Sequence, residues 1–389
     1  MAANVLVLGG GFAGLESAIQ LSRTGFQVTL VSEREYIYIY PISIWIPTRE
    51  IEFEDACMPL DEVCRRHGIE FIVNPVQSID PHLQRVALED GRALGYDYLV
   101  IAMGAGKTTL KGIEFTGSIC GAPESVIPIR ERLDELIRQG KGSIAVGFGG
   151  NPKDSSAVRG GPAFEFIFNI HHLLKKKGVL DNFKLTMFAP MPQPGIRLGE
   201  KAYTMMISWL DRLKIERRFG KKIKEFRKGE VVFADDSSFA ADLIMFIAAG
   251  HGHKVLMNSG LPQNEAGFLR INDYCQVEGH ENIFAVGDSA ALDGPKWRAK
   301  QGHLAEVMAR VAAANIKDLS QGKKPVAGYQ KHISILCVMD FGNGAAYVHR
   351  DENRSVVRPM PVVGHWLKKA WGHYWKLNKG GKIPRLPGT

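Results

Sequence analysis

The stretch NVLVLGGGFAGLESAIQLSRTGFQVTLVSE, residues 4–33, decides the fold. Residues 5–8 are apolar without a break, as suits a parallel strand buried on both faces. Gly9, Gly11 and Gly14 follow at G-x-G-x-x-G spacing, with Phe12 and Ala13 between the last two. Leu15, Ala18, Ile19 and Leu21 form a helical stripe that Gly25 closes, and residues 28–31 make a second apolar strand. The glycines serve a tight turn, a close approach of backbone to pyrophosphate, and close packing of helix on strand. The helix start offers free N–H groups and a positive dipole to a phosphate. Strand, glycines, helix and strand within about 30 residues predict a bound dinucleotide. Directly after Val31, where an acidic side chain usually takes the ribose hydroxyls, stands Ser32, with Glu33 one step later. Both are candidate ribose contacts.

The 389 residues give room for two domains and a tail, at roughly 100–200 residues per domain. Apolar residues make up 45% and charged residues 23%, as in soluble globular proteins. No apolar run approaches the ~18 residues of a membrane-spanning helix. The first strand begins too near Met1 to leave space for a signal peptide, so cytoplasmic synthesis without export is expected. Cys57, Cys64, Cys120, Cys275 and Cys337, with no C-x-x-C pair, argue against a disulfide framework and a zinc site, and no metal is predicted. The net charge of +8 is unevenly placed: from Arg350 onward nine basic residues face only Asp351 and Glu352. An anionic surface is therefore expected as partner of the tail, and nothing elsewhere suggests nucleic acid.

Residues 36–45 alternate tyrosine and isoleucine until Pro41, which suits an aromatic-rich loop near the cofactor or a core filler. Cys57 and Cys64 share a face if their stretch is helical. Residues 68–76 and 86–99 read as a meander turning at Asp90-Gly91. Residues 97–105 form a buried strand running through Ala102 to Gly104, expected beside the first strand with Gly104 near the cofactor. From residue 141 the opening unit returns: strand 143–149, helix 162–177, strand 183–189. This second copy carries an insertion, residues 150–160, that prevents a compact pyrophosphate turn and argues against conventional nicotinamide dinucleotide binding there. Strand 283–288 ends in Gly287-Asp288, whose carboxylate can accept bonds from cofactor hydroxyls or cap the local turn.

Together these signatures resemble the two-dinucleotide-domain flavoproteins, and among them the sulfide:quinone oxidoreductases. The flavocytochrome c sulfide dehydrogenase flavoprotein and the type II NADH:quinone oxidoreductases are cousins. The resemblance rests on Ser118-Ile-Cys120 before a helix and on Gly161-Pro-Ala-Phe-Glu165. It rests equally on residues 300–308, from Lys300 through Gly302, and on residues 335–342 around Cys337. It covers nearly the whole chain and implies an α/β fold of two Rossmann-like units, arranged as in glutathione reductase, with a membrane-associating tail. The implied bounds are 1–110 with 236–325 for the FAD unit, 111–235 for the second unit, and 326–389 for the C-terminal region. The implied activity passes two electrons from a small reduced donor, sulfide or a related sulfur compound, through FAD to membrane quinone. Type II NADH:quinone oxidoreductase activity is one alternative; a non-catalytic FAD-containing membrane adaptor or redox sensor is another.

One departure is serious. The position of the family's central redox cysteine, two before the Gly-Pro, holds Arg159, and no cysteine lies between 120 and 275. Either Cys120 partners Cys337, or the chain reduces quinones with another donor. The candidate catalytic residues are Cys337, as a nucleophilic thiolate or a buried strand cysteine, Cys120, as a flavin attachment point or a free thiol, and Glu165, as a proton shuttle or a structural carboxylate. Lys300, or the helix start at Gly302, is the candidate to stabilise negative charge on a reduced flavin. Residues 364–377 interleave three Trp and a Tyr with lysines, as suits a helix in the membrane interface, a helix docked on the body or a dimer contact. The membrane reading places the protein peripherally on the inner face of the cytoplasmic membrane. It also treats the tail as separable, so that removing residues after Pro361 spares the flavin; homo-oligomerisation is left open.

Overall fold

The computed structural model describes residues 3–386. Asn4–Leu8 forms strand β1, Phe12–Ser22 helix α1 and Gln27–Ser32 strand β2. The apolar side chains of β1 are all buried, so it needs a neighbour on each side. β2 pairs with it in parallel on one side and leads outward to β3 (Glu70–Val73). The chain then leaves the sheet in an antiparallel excursion, β4 (Val76–Asp80), β5 (Arg85–Leu88) and β6 (Ala93–Gly95). It returns as β7 (Tyr98–Ile101), which pairs in parallel with the free side of β1.

The second unit repeats this path. Helix α2 (Val126–Gln139) leads into strand β8 (Gly142–Phe148), helix α3 (Gly161–Lys176) and strand β9 (Phe183–Ala189). Helix α4 (Glu200–Arg212) and strand β10 (Glu216–Phe219) extend the sheet. An excursion follows, β11 (Ile223–Arg227), β12 (Glu230–Phe233) and β13 (Ser238–Ala240), and the chain comes back as β14 (Leu243–Ile247) beside β8. The boundary expected at residue 236 is thereby corrected, because β14 belongs to the second sheet. An apolar run such as Leu243–Ile247 fits the middle of either sheet; the hairpin before it brings it back to the one it left. β15 (Ile283–Ala285) crosses to the first sheet beside β7, and helix α5 (Gly302–Ser320) packs along α1.

Cys57 lies in the short strand Cys57–Pro59 and Cys64 in the helix Leu60–Arg66, so the shared helical face expected for them does not form. Residues 36–45 split into the strand Tyr36–Tyr38 and a 3-10 turn, Tyr40–Trp45, with Trp45 fully buried. The C-terminal region is a three-stranded antiparallel sheet, β16 (Ile335–Asp340), β17 (Gly344–Arg350) and β18 (Ser355–Pro361), followed by helix α6 (Val363–Lys379).

α6 is docked, not free. Trp375 packs its ring 4.7 Å from that of Phe12 and donates its indole N–H to Glu306 at 2.7 Å. Lys379 pairs with the buried Glu16 of α1 and with Glu306 of α5 at 2.9 Å. Removing the tail would uncover Phe12 in the first turn of α1 and leave the buried Glu16 with Arg310 of α5, at 3.2 Å, as its remaining cation, so the tail and the first glycine loop are in direct contact. The outer side of α6 carries Val363, Trp366 and Leu367, exposed by 68, 63 and 49%. Among the described residues no helix is long and apolar enough to cross a membrane.

Candidate active site

The first glycine loop is closed by backbone, not by side chains. Gly9 has φ +106, and a Cβ on it would lie 2.3 Å from the Ala102 carbonyl oxygen. A Cβ on Gly14 would lie 1.8 Å from the carbonyl oxygen of Gly9. No rotamer relieves contacts of that kind, so glycine is required at both positions. Gly11 and Gly104, by contrast, face open space. α1 begins at Gly11 with no side-chain cap, which leaves its first N–H groups to a ligand. Gly287 brings the Gly-Asp turn onto Ala13 and Ala305, with a Cβ there only 3.0 and 3.3 Å from theirs. Gly302 starts α5 over the Phe12 ring. The carboxyl ends of β1, β7 and β15 thus converge on one crevice with glycines on its walls, where a dinucleotide is held in this kind of sheet. The residues present fit FAD.

Ser32 and Glu33 divide at the end of β2. Ser32 is buried beneath Gly10 and accepts a bond from the Arg34 N–H at 3.2 Å, while Glu33 is exposed and pairs with the Arg34 guanidinium at 2.8 Å. Asp288, also at the crevice, forms an ion pair with Arg159 that joins the second unit's inserted loop to the first unit. Lys300 is buried, and its ammonium donates to the Ala290 and, at 3.2 Å, the Asp288 carbonyl oxygens, 3.9 Å over the Phe268 ring. Burial, with Arg159 and Arg298 nearby, pulls its pKa down to about 7. Lys107, on the same side as Arg159, is lowered to about 8, by burial first and then by Arg159.

The inserted loop of the second unit is filled by its own protein. Arg197 reaches into it and donates to the carbonyl oxygens of Ser155 at 2.5 Å, Val158 at 2.6 Å and Arg298 at 3.2 Å. Asp154 caps the turn Ser155–Ala157, and Asn151 donates to the Gly250 carbonyl at 2.8 Å. Arg197 thus ties the inserted loop to itself and to the segment before α5.

On the far side of the crevice, β16 runs from the start of α5, where Leu336 N–H donates to Gln301, towards Glu165 on α3. Cys337 Sγ lies 3.9 Å from Glu165 Oε1. Burial, then the Glu165 charge, pushes the thiol up to about 12, so Cys337 is not a thiolate at neutral pH. Cys120 is buried in the loop before α2, its thiol also raised by burial, and all five cysteines are free thiols. Glu165 is buried, which raises its carboxyl despite the ion pair with Lys368 of α6. Glu165 and Cys337 therefore meet, Cys120 is a free buried thiol within electrostatic reach of Arg159, Lys107 and Glu165, and Lys300 is turned to backbone carbonyls.

Several residues of this site escape a reading of the sequence. Lys368 and His365 look like cations on a membrane helix, yet i and i+3 spacing turns both inward onto Glu165 and Asp340. Asp340 was legible only as part of the Cys337 segment, and Arg197 carried no signal because it acts on carbonyls brought near by the fold.

Residues 3–314 match the family described as pyridine nucleotide-disulphide oxidoreductases. The chain is 28% identical to a sulfide-quinone reductase of Aquifex aeolicus (strain VF5), over 99% of this chain and 93% of that one. It is 25% identical to a type II NADH:quinone oxidoreductase of Staphylococcus epidermidis, over 89% of each. The solved sulfide:quinone oxidoreductase of Aquifex aeolicus superposes with a TM-score of 0.86 at 26% identity, covering 98% of this chain and 93% of that one. The NDH2 of Plasmodium falciparum solved with NADH shares the fold, with a TM-score of 0.75 at 12% identity over 99% of each chain.

Proposed function

We propose that this chain, which belongs to the pyridine nucleotide-disulphide oxidoreductase family, is a peripheral membrane flavoenzyme that passes two electrons from a small reduced donor to a quinone. The observation that carries the reading is the glycine crevice of the first unit together with the buried pair Glu165 and Lys368, joined by β16, which runs from Gln301 at the start of α5 to Glu165. FAD held there would supply the two-electron redox chemistry that links donor and quinone. Gly9, Gly11 and Gly14 with the start of α1 would hold its pyrophosphate, and Gly104 and Gly287 let backbone approach it. Burial raises the Glu165 carboxyl, which suits it to pass a proton to the quinone, and Lys368 would balance the charge left behind.

Sulfide or a related sulfur anion is the preferred donor. The likeness to the sulfide-quinone reductase of Aquifex aeolicus spans nearly both chains, and the buried Lys107 beside the Arg159–Asp288 pair suits a small anion. Arg159 stands where a cysteine would allow a disulfide step, so no disulfide at that position takes part in the proposed transfer. NADH is disfavoured because Arg197 fills the loop it would need. Val363, Trp366 and Leu367, with the basic tail, support attachment to an anionic membrane face, where the quinone dissolves.

The test is an anaerobic titration of the purified yellow protein, followed by flavin bleaching with sulfide, then with NADH, then by recovery of colour on adding quinone. Bleaching by sulfide and recovery with quinone are expected. Bleaching by NADH alone would replace the donor, and bleaching by neither would favour the adaptor or sensor.

A further inference from the structure

More charge is buried behind Glu165 than a single proton-holding pair explains. His365 of α6 sits between two carboxylates, with Nδ1 2.8 Å from Asp340 Oδ2 and Nε2 3.2 Å from Glu50 Oε2. Asp340 is fully buried and also accepts the Gly342 N–H at 2.9 Å and the Trp45 indole N–H at 3.3 Å. Burial works against its charge, yet the bond to His365 and the nearby Lys368 hold its carboxyl below the usual range. The two carboxylates raise His365 to about 9, so the imidazole is charged at neutral pH. Lys368, one turn further along α6, acts electrostatically on both Asp340 and Glu165.

One end of this array is dry and the other is wet. Glu165 and Asp340 are closed off inside, while Glu50 and His365 line a surface groove of about 500 Å³. The groups around His365 come from every element packed on it: Glu50 from the segment after Trp45, Asp340 from β16, His172 from α3, and Lys368 and Lys369 from α6 itself. Lys369 pairs with Glu50 at 2.7 Å, and burial lowers the pKa of His172. Buried ion clusters cost more than apolar packing of the same volume, so a cluster with one wet end calls for a use beyond anchoring a helix.

We propose that Glu50, His365 and Asp340 form a proton-input arm that carries protons from the groove to the Glu165–Lys368 pair. This rests on the quinone-reducing reading. Reduction of a quinone to a quinol takes up two electrons and two protons; a bound reduced flavin would supply the electrons and one proton, and the other proton leaves the Glu165 carboxyl. The replacement proton comes from the His365 imidazolium, hydrogen-bonded to Asp340, whose backbone N–H in turn meets Glu165 at 3.3 Å, while the Lys368 ammonium beside both carboxylates balances their charge. His365 takes its replacement from water in the groove beside Glu50. One proton enters the groove for each that leaves Glu165, and no further electrons move.

The test uses the full-length flavin-loaded protein, reduced anaerobically with stoichiometric dithionite so that the donor's identity does not matter. Reoxidation is timed with decylubiquinone, which takes protons, and with ferricyanide, which does not. His365→Ala is expected to slow reoxidation by quinone about 10-fold or more, to slow ferricyanide far less, and to recover with imidazole in the buffer. Glu50→Gln, of the same shape, is expected to act in the same direction more weakly, and carries the test if His365→Ala loses flavin. Unchanged quinone rates in both variants would overturn the arm alone. Equal losses with both acceptors and no imidazole rescue would also overturn it, making the cluster structural. Failure of quinone to reoxidise the unaltered protein would overturn the arm and the quinone reading together.

Discussion

Between β1 and α1 the first unit places only residues 9–11, whereas between β8 and α3 the second unit places residues 149–160. Everything around these two loops runs in parallel: strand, helix, strand, an antiparallel excursion, and a returning strand beside the first. The short loop closes backbone on backbone at Gly9 and Gly14 and leaves N–H groups pointing at nothing in the protein. The long loop satisfies its carbonyls with Arg197 and sends Arg159 across to Asp288. A parallel sheet needs apolar strands and a helix to cover them, which survive many changes. A phosphate cradle needs particular φ angles and missing Cβ atoms, which one insertion removes.

The largest effect expected from breaking this contrast is at Gly14. Gly14→Val puts a branched side chain where even a Cβ meets the Gly9 carbonyl, and the purified protein is expected to be colourless. Gly161→Ala, at the start of α3, meets nothing within 4 Å and should keep its full flavin absorbance. Next comes Lys368→Met, which leaves Glu165 buried without its cation. Its cost is expected at about 3 kcal/mol near pH 8, read as a lower urea midpoint. Glu165 already has a raised carboxyl in the folded state, so its contribution is present at low pH and lost as pH rises; the variant should therefore lie closer to the unaltered protein at pH 5 than at pH 8.

Arg197→Ala tests the filled loop and is expected to cost about 1–2 kcal/mol in urea unfolding, with flavin content unchanged because the cradle is elsewhere. The smallest effect belongs to the outer face of α6. Trp366→Ser combined with Leu367→Ser should weaken liposome binding about 10-fold in a flotation assay while leaving thermal stability and colour intact. Binding at full strength would remove the interfacial helix from the account.

The sequence made the first unit legible because glycines at fixed spacing between apolar strands have few other uses. It also showed the second unit as a damaged copy, since the insertion at 150–160 is visible as length alone. The place of β14 was not legible, because an apolar pentapeptide carries no label for the sheet it joins. The buried polar residues around Glu165 were legible by half: Glu165 and Cys337 stood in recognisable segments, but their partners lay some 200 residues further on or in the tail. Lys368 and His365 were hidden by composition, since a Trp- and Lys-rich helix reads as an interfacial one from every side. Its two faces do different work, Trp366 and Leu367 outward, His365, Lys368 and Trp375 inward. Nothing in residues 364–377 taken alone separates them.

The central claim is that only the first unit holds a dinucleotide. It is tested most directly by calorimetric titration of the flavin-loaded protein with NADH under anaerobic conditions. The account predicts no saturable binding in the micromolar range and no change in the flavin spectrum. Saturable micromolar binding of one NADH per chain would contradict it, because a second dinucleotide would then occupy the loop that Arg197 fills.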